Sequence, residues 1–216
     1  LLVCITVKHY LYMDNLIYDT SENDPQQYYW FKHALTEEEV DRVIALASEL
    51  PEAKKATTIG SEDGGSVRSS SVKWLPKNNS NWNWLYKKMM RLSVEANNAL
   101  WHFDLRTALE AIQYTEYYAS ENGHYDWHQD IGVGDLPSKR KISITIQLSE
   151  SDEYKGGELL ICTGSNGKGE FDNNKVCPRG KGVGVLFPSY MMHRVTPVTE
   201  GTRKSLVLWT GGGHYK

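Results

Sequence analysis

The apolar positions of the chain follow two rhythms, one up to about residue 104 and another beyond it. In "LTEEEVDRVIALASEL" (35–50), Val40, Ile44, Ala45 and Ala47 recur at helical spacing. Thr36 with Glu39 three residues later is the signature of a capping box, and Pro51 marks the stop. A second helix is expected through "WNWLYKKMMRLSVEANNAL" (82–100), with Trp84, Leu85, Met89, Leu92 and Ala96 as its buried stripe and Ser80 as its cap. The stretch between them, "ATTIGSEDGGSVRSSSVKWL" (56–75), is rich in Gly and Ser and then alternates, which predicts a loop leading into one strand.

From about Leu105 the pattern changes to short alternating runs separated by Gly, Asn, Asp and Pro. "LEAIQYTEYY", "KISITIQLS", "GELLICT", "GVGVLFP" and "KSLVLWTGG" are the strand candidates. The long stretch "GSNGKGEFDNNKVCPRGKG" (164–182) is expected to be a loop covering a site. No internal repeat is visible. Helices followed by strands predict a mainly β fold, a sandwich or jelly roll braced by α-helices. The chain reads as a single domain, 1–216, with a lead-in over 1–30, helical support over 31–104 and a β core over 105–213.

Composition narrows the function classes. With 40% apolar and 24% charged residues the chain has the make-up of a globular protein, and a length of 216 residues suits one sizeable core. A net charge of -3 exerts no general pull on nucleic acid or anionic membranes. Cys4, Cys162 and Cys177 are scattered, without Cys-x-x-Cys spacing, so a disulfide framework and a thiolate zinc site are not expected. The opening "LLVCITVKHYLYM" lacks a basic leader and a cleavage site and is too short to span a bilayer; the expectation is a cytoplasmic protein whose first dozen residues are an extension.

The candidate chemistry is concentrated in "HYDWHQD" (124–130), which holds two His-x-Asp pairs, His124/Asp126 and His128/Asp130. On a strand, alternate residues share a face, so either pair could present two ligands to one ion. All four residues fall on one phase, and parity does not separate the pairs. Position does: Asp130 is followed by the turn-rich "IGVGDLP", and ligands with open coordination places are best set at a strand end. Two His and one carboxylate are the facial triad of non-haem Fe(II) oxygenases. For the third ligand His193 stands out, because it follows the strand "GVGVLFP" far downstream. Arg203, ten residues later, heads an apolar strand on which Arg203, Ser205, Val207 and Trp209 face one way. A cation there needs an anion to meet it, such as the far carboxylate of a dianionic co-substrate.

These residues resemble the 2-oxoglutarate and Fe(II)-dependent dioxygenases, in their prolyl 4-hydroxylase-like branch. "YYASENGHYDWHQD", "YKGGELLI" and "LFPSYMMHRVTPVTEGTRKSLVLWTGG" carry the likeness, over roughly residues 105–213. The resemblance implies a double-stranded β-helix, a cupin-like jelly roll, holding Fe(II) through His128, Asp130 and His193. It implies 2-oxoglutarate paired with Arg203, and Tyr118 bonding the same distal carboxylate. It also implies O2 as oxidant, succinate and CO2 as products, and ascorbate as reductant. Arg203 stands where collagen-type enzymes usually carry Lys, which argues against a collagen-like substrate.

Three substrate classes follow in order: a peptidyl proline, a free amino acid or other small molecule, and nucleic acid, the last disfavoured by the net charge. A non-catalytic jelly-roll binding module is the reading from another class, and it would show a damaged triad. His9, His33, His102, His124 and His214 are read as surface or satisfied core residues, with His102/Asp104 a local polar pair. For Tyr118 the competing reading is core packing, since Tyr114 and Tyr118 share a face. Trp74, Trp82, Trp84 and Trp101 read as packing residues. Arg68 could meet substrate at the mouth of the site. Neither substrate nor oligomeric state is encoded legibly.

Overall fold

The computed structural model describes residues 27–56, 67–164, 171 and 173–215. The N-terminal extension up to residue 26, and residues 57–66 and 165–170 of the two loops, lie outside the described residues.

Helix α1 (Glu37–Ser48) begins as the sequence predicts. Glu39 N–H donates to Thr36 Oγ1 and the Glu39 carboxylate accepts from the Thr36 N–H, closing the capping box. The buried stripe is Val40, Val43 and Ala47; Ala45 points to solvent, one position off the expected face. Thr36→Ala is expected to lower stability by about 1 kcal/mol, read as a shift in the denaturant midpoint without a change in slope. Helix α2 (Asn83–Ala96) buries Leu85, Met89, Leu92 and Ala96. A 3-10 turn, Ser80–Trp82, precedes it and is capped by Asn79 rather than Ser80.

The strands, in chain order, are β1 (Tyr29–Phe31), β2 (Lys54–Lys55), β3 (Arg68–Ser69), β4 (Ser71–Leu75), β5 (Thr107–Ala108), β6 (Ile112–Tyr118) and β7 (His124–His128). They continue as β8 (Arg140–Gln147), β9 (Tyr154–Gly156), β10 (Leu159–Gly164), β11 (Asn173–Val176), β12 (Gly184–Pro188), β13 (His193–Val195) and β14 (Val198–Gly211). The major sheet runs β1-β12-β8-β14-β6-β4-β2, with β5 and β9 also pairing β14; the minor sheet runs β11-β10-β13-β7-β3. Every recorded pairing is antiparallel. The fold is thus an antiparallel jelly roll with few helices. Where one strand is expected at the end of 56–75, two form, β3 and β4, with β2 before them, and the expected loop 164–182 contains β11, which pairs β10.

Period-two alternation divides the major sheet into two faces. Ile142, Ile144 and Ile146 of β8, Ile112 and Tyr114 of β6, and Leu206 and Leu208 of β14 join the core beneath α1 and α2. The opposite face carries Ser143, Thr145, Gln113, Arg203 and Ser205, buried polar residues turned toward the minor sheet. A second apolar cluster, including Ile161, Val185, Phe187 and Val195, closes the space between the sheets. Among the described residues no helix is long and apolar enough to cross a membrane.

Candidate active site

A cavity of about 640 Å³ lies between the polar face of the major sheet and the minor sheet. His128 and His193 meet on its wall because β7 and β13 are adjacent, with these two residues directly opposed. Asp130 follows β7 by two residues and is anchored by its own N–H, which donates to the Ser189 carbonyl (2.9 Å). One ligand atom from each of His128, Asp130 and His193 falls within 4.8 Å of the other two. Asp130 Oδ1 is 3.7 Å from His128 Nε2, and Oδ2 is 3.5 Å from His193 Nε2.

Both imidazoles are oriented by main-chain carbonyls. His128 Nδ1 lies 2.7 Å from Asp126 O, and His193 Nδ1 lies 2.9 Å from Met191 O. Donation from Nδ1 to these carbonyls leaves Nε2 as the lone-pair nitrogen aimed at the cluster. Burial, with the neighbouring His193 second, holds the His128 imidazole down at about 3. For Asp130 burial alone would raise the value; His193, His128 and a 2.6 Å hydrogen bond from Ser143 Oγ outweigh it and hold the carboxyl at about 2. At neutral pH both therefore stand in the form that binds a cation.

Arg203 lies on the same cavity, 2% exposed, in the strand bracketed by β6 and β8. Its Nη1 donates to Ser205 Oγ (3.2 Å), its Nε has no partner, and no carboxylate pairs with it among the described residues. The Gly-Gly of "YKGGELLI" has a spatial reason. Gly156 and Gly157 adopt φ of +69° and +62°, a Cβ on Gly156 would stand 2.0 Å from Pro197 O, and one on Gly157 would stand 3.0 Å from Arg203 Cδ. The close approach of β9 to β14 thus needs both glycines.

Tyr118 does not join Arg203. Pairing of β14 with β6 sets Arg203 against Tyr117, so the tyrosine on the cavity face is Tyr117, whose ring centroid is 5.2 Å from the guanidinium carbon. Tyr118 points the other way and its hydroxyl donates to Glu116 Oε2 (2.6 Å). Burial first and Glu116 next push that hydroxyl far above its ordinary value. The parity of Gln113, Thr115 and Tyr117 against Tyr114 and Tyr118 carries this information. The expected role for Tyr118 is corrected on that ground.

His124 and Asp126 stay outside the cluster: His124 Nδ1 meets Asn122 O at 2.7 Å, and Asp126 accepts from the Trp127 N–H. Asp104 engages Arg106 at 2.7 Å. Trp74, expected as packing, is 48% exposed and lines the cavity mouth beside Trp209.

Several cavity residues escaped the sequence reading. Arg140 donates Nε and Nη2 to the two carboxylate oxygens of Glu110 (2.7 and 2.6 Å) and Nη1 to the Asp130 carbonyl (2.8 Å), and its guanidinium covers Trp209 at 3.9 Å. The fork connects β8 to the Asp130 turn. Glu110→Ala should lower stability by about 3 kcal/mol, the low end for breaking a buried pair because Glu110 is partly exposed. Replacing both partners, Glu110→Leu with Arg140→Met, should recover most of it. A loss under about 1 kcal/mol for Glu110→Ala would class the pair with surface bridges.

Residues 112–211 match the family described as the 2OG-Fe(II) oxygenase superfamily. In this stretch the chain is similar to 2OG-Fe(II) oxygenase domains. The matched stretch contains His128, Asp130, His193 and Arg203. A PKHD-type hydroxylase of Alteromonas mediterranea is 35% identical over 96 residues, 42% of this chain and 39% of that protein. The chain thus spans about two fifths of the curated relatives it matches. Among solved structures, a Pseudomonas putida prolyl-4-hydroxylase superposes with a TM-score of 0.65 at 19% identity, covering 86% of this chain and 93% of the other. A Trichoplax adhaerens prolyl hydroxylase, solved with a peptide fragment of the hypoxia inducible factor oxygen degradation domain, gives 0.66 at 15% identity, covering 86% and 83%. At those identities the likeness is one of fold.

The superfamily implies Fe(II) and 2-oxoglutarate, with ascorbate as its typical reductant, and the residues fit both. Two neutral imidazoles and an ionised carboxylate on one face are a borderline-hard donor set suited to a divalent iron. A buried guanidinium with an unpartnered Nε is suited to a carboxylate.

Proposed function

We propose that this chain is an Fe(II)- and 2-oxoglutarate-dependent hydroxylase, and that its substrate is a prolyl residue of a peptide. The observation that supports it best is the pairing, in one cavity, of the His128–Asp130–His193 cluster with the uncompensated Arg203. A binding module that had lost its chemistry would have no reason to keep either. Free amino acids and other small molecules are the second substrate class.

In this reading His128, Asp130 and His193 hold the metal, which when bound supplies oxidation of a C–H bond by O2 coupled to conversion of 2-oxoglutarate to succinate and CO2. Asp126 O and Met191 O keep the two imidazoles aimed inward. Ser143 holds Asp130 by its Oδ2. Arg203 grips the far carboxylate of 2-oxoglutarate, with the Tyr117 ring beside it. Leu159, Phe187 and Val195 give the inner wall an apolar lining that keeps water away. Trp74 and the segment Ile131–Val133 flank the cavity where substrate would enter.

The test is succinate release from 2-oxoglutarate. Purified protein should form succinate when Fe(II) is added, lose the reaction on treatment with a chelator, and regain it with fresh Fe(II). A prolyl peptide pool should gain one oxygen by mass spectrometry. Succinate formation that ignores the chelator would sink the metal assignment.

A further inference from the structure

We propose that Arg68 is the receptor for a carboxylate carried by the substrate close to the carbon that is hydroxylated; this rests on the proposed function and narrows its substrate class. Arg68 sits on the two-residue strand β3 at the edge of the minor sheet, lines the cavity, and is only 8% exposed. Its donors go to neutral acceptors: Nε to Ser70 Oγ (2.7 Å) and Nη2 to Gln113 Oε1 (3.0 Å). Its guanidinium carbon lies 4.6 Å from the centre of the Tyr125 ring. No carboxylate pairs with it among the described residues, unlike Arg140, which Glu110 neutralises. A guanidinium this buried is costly to desolvate unless an anion meets it.

The charge balance of the cavity says which anion is missing. Its described lining carries three cations, Arg68, Arg140 and Arg203, against two carboxylates, Glu110 and Asp130, an excess of one positive charge (3 − 2 = 1). A divalent iron and a dianionic 2-oxoglutarate cancel each other, so the loaded cavity keeps that excess. Arg203 is satisfied by the co-substrate. The charge left over resides at Arg68.

Position points the same way. Arg68 opposes Tyr125 across the β3–β7 pairing, and Tyr125 in turn stacks on the His128 ring with centroids 3.4 Å apart. The cation is therefore one aromatic ring removed from a metal ligand. An anion bound there is held next to the reacting carbon, with Gln113 and Ser70 fixing the plane of the guanidinium. Such a carboxylate could be the free end of an amino acid or C-terminal residue, or an acidic side chain beside an internal target.

Calorimetry on the Mn(II)- and 2-oxoglutarate-loaded protein, under argon, separates these sources without turnover. N-acetyl-L-proline against N-acetyl-L-prolinamide tests a free carboxylate. N-acetyl-prolyl-aspartic acid amide against its asparagine counterpart tests a side-chain one. The carboxylate member of at least one pair should bind about 10- to 100-fold tighter than its amide, the worth of a charge-assisted hydrogen bond. That preference should vanish in Arg68→Gln and survive in part in Arg68→Lys, with circular dichroism confirming that both variants fold. Equal or absent binding within both pairs by the wild-type protein overturns the assignment, and so does a preference that persists in Arg68→Gln. Either result with intact Fe(II)-dependent succinate formation removes this assignment alone; absence of succinate formation removes the reading beneath it.

Discussion

His128→Ala is expected to fold and to lose 2-oxoglutarate-dependent succinate formation by more than about 100-fold, because even the loss of a partner supporting a metal ligand costs about 10- to 100-fold. The expectation follows from how much of the site converges on this ring. It closes the β7–β13 pairing opposite His193, takes its orientation from Asp126 O, and stacks against Tyr125. Removing it leaves two donors where three are needed, at a position outside the core beneath the helices. Metal binding should fall in parallel, measured as quenching of tryptophan fluorescence by Mn(II), while the far-ultraviolet circular dichroism stays unchanged. A variant that retained Fe(II)-dependent turnover would place the metal elsewhere, and His124 would be the first residue to examine.

Arg203→Ala is expected to raise the 2-oxoglutarate concentration needed for half-maximal succinate formation by roughly 100-fold or more, since stripping one partner from a buried ion pair costs about 3 to 5 kcal/mol. Arg203 is nearly inaccessible, its Nε has no protein partner, and the Gly157 backbone leaves room for its chain. A co-substrate carboxylate bound there would meet no other cation positioned to replace it. Arg203→Lys should fall between, keeping the charge and losing the two-pronged grip. Mn(II) binding in the absence of 2-oxoglutarate should not change. If the requirement were also unchanged, the carboxylate would belong to Arg68 or Arg140, and in the first case the proposal for Arg68 would fall with it.

Much of this architecture could be read from side-chain rhythm. The α1 capping box is local chemistry, a hydroxyl and a carboxylate three residues apart, and it forms as written. Arg203, Ser205, Val207 and Trp209 share a face in the sequence and share the cavity wall in the structure. His193 was found by its place after a strand, and the fold brings it opposite His128. What failed did so where pairing between distant strands decides. The family resemblance points to Tyr118, yet only the register of β6 on β14 tells which tyrosine faces Arg203, and it selects Tyr117. Arg140 and Glu110 are thirty residues apart, and neither carries a local signal of the other. Strand β8 carries a further signal: it is buried on both faces, yet Ser143, Thr145 and Gln147 alternate with three isoleucines. Polar residues in phase on a fully buried strand mark the wall of a cavity.

The two arginines proposed to bind anions are mounted very differently. Arg203 belongs to a strand of 14 residues hydrogen-bonded on both sides, whereas Arg68 rides on two residues at a sheet edge, beside the Gly- and Ser-rich run of sequence. Replacing a residue in β14 disturbs partners in several strands at once. Replacing Arg68 in β3 touches a short strand paired on one side only, with Gln113, Ser70 and Tyr125 as its side-chain neighbours. A chain built this way can exchange one substrate for another by drift at its rim, while the reagent shared by every version of the reaction stays locked in the part least free to change.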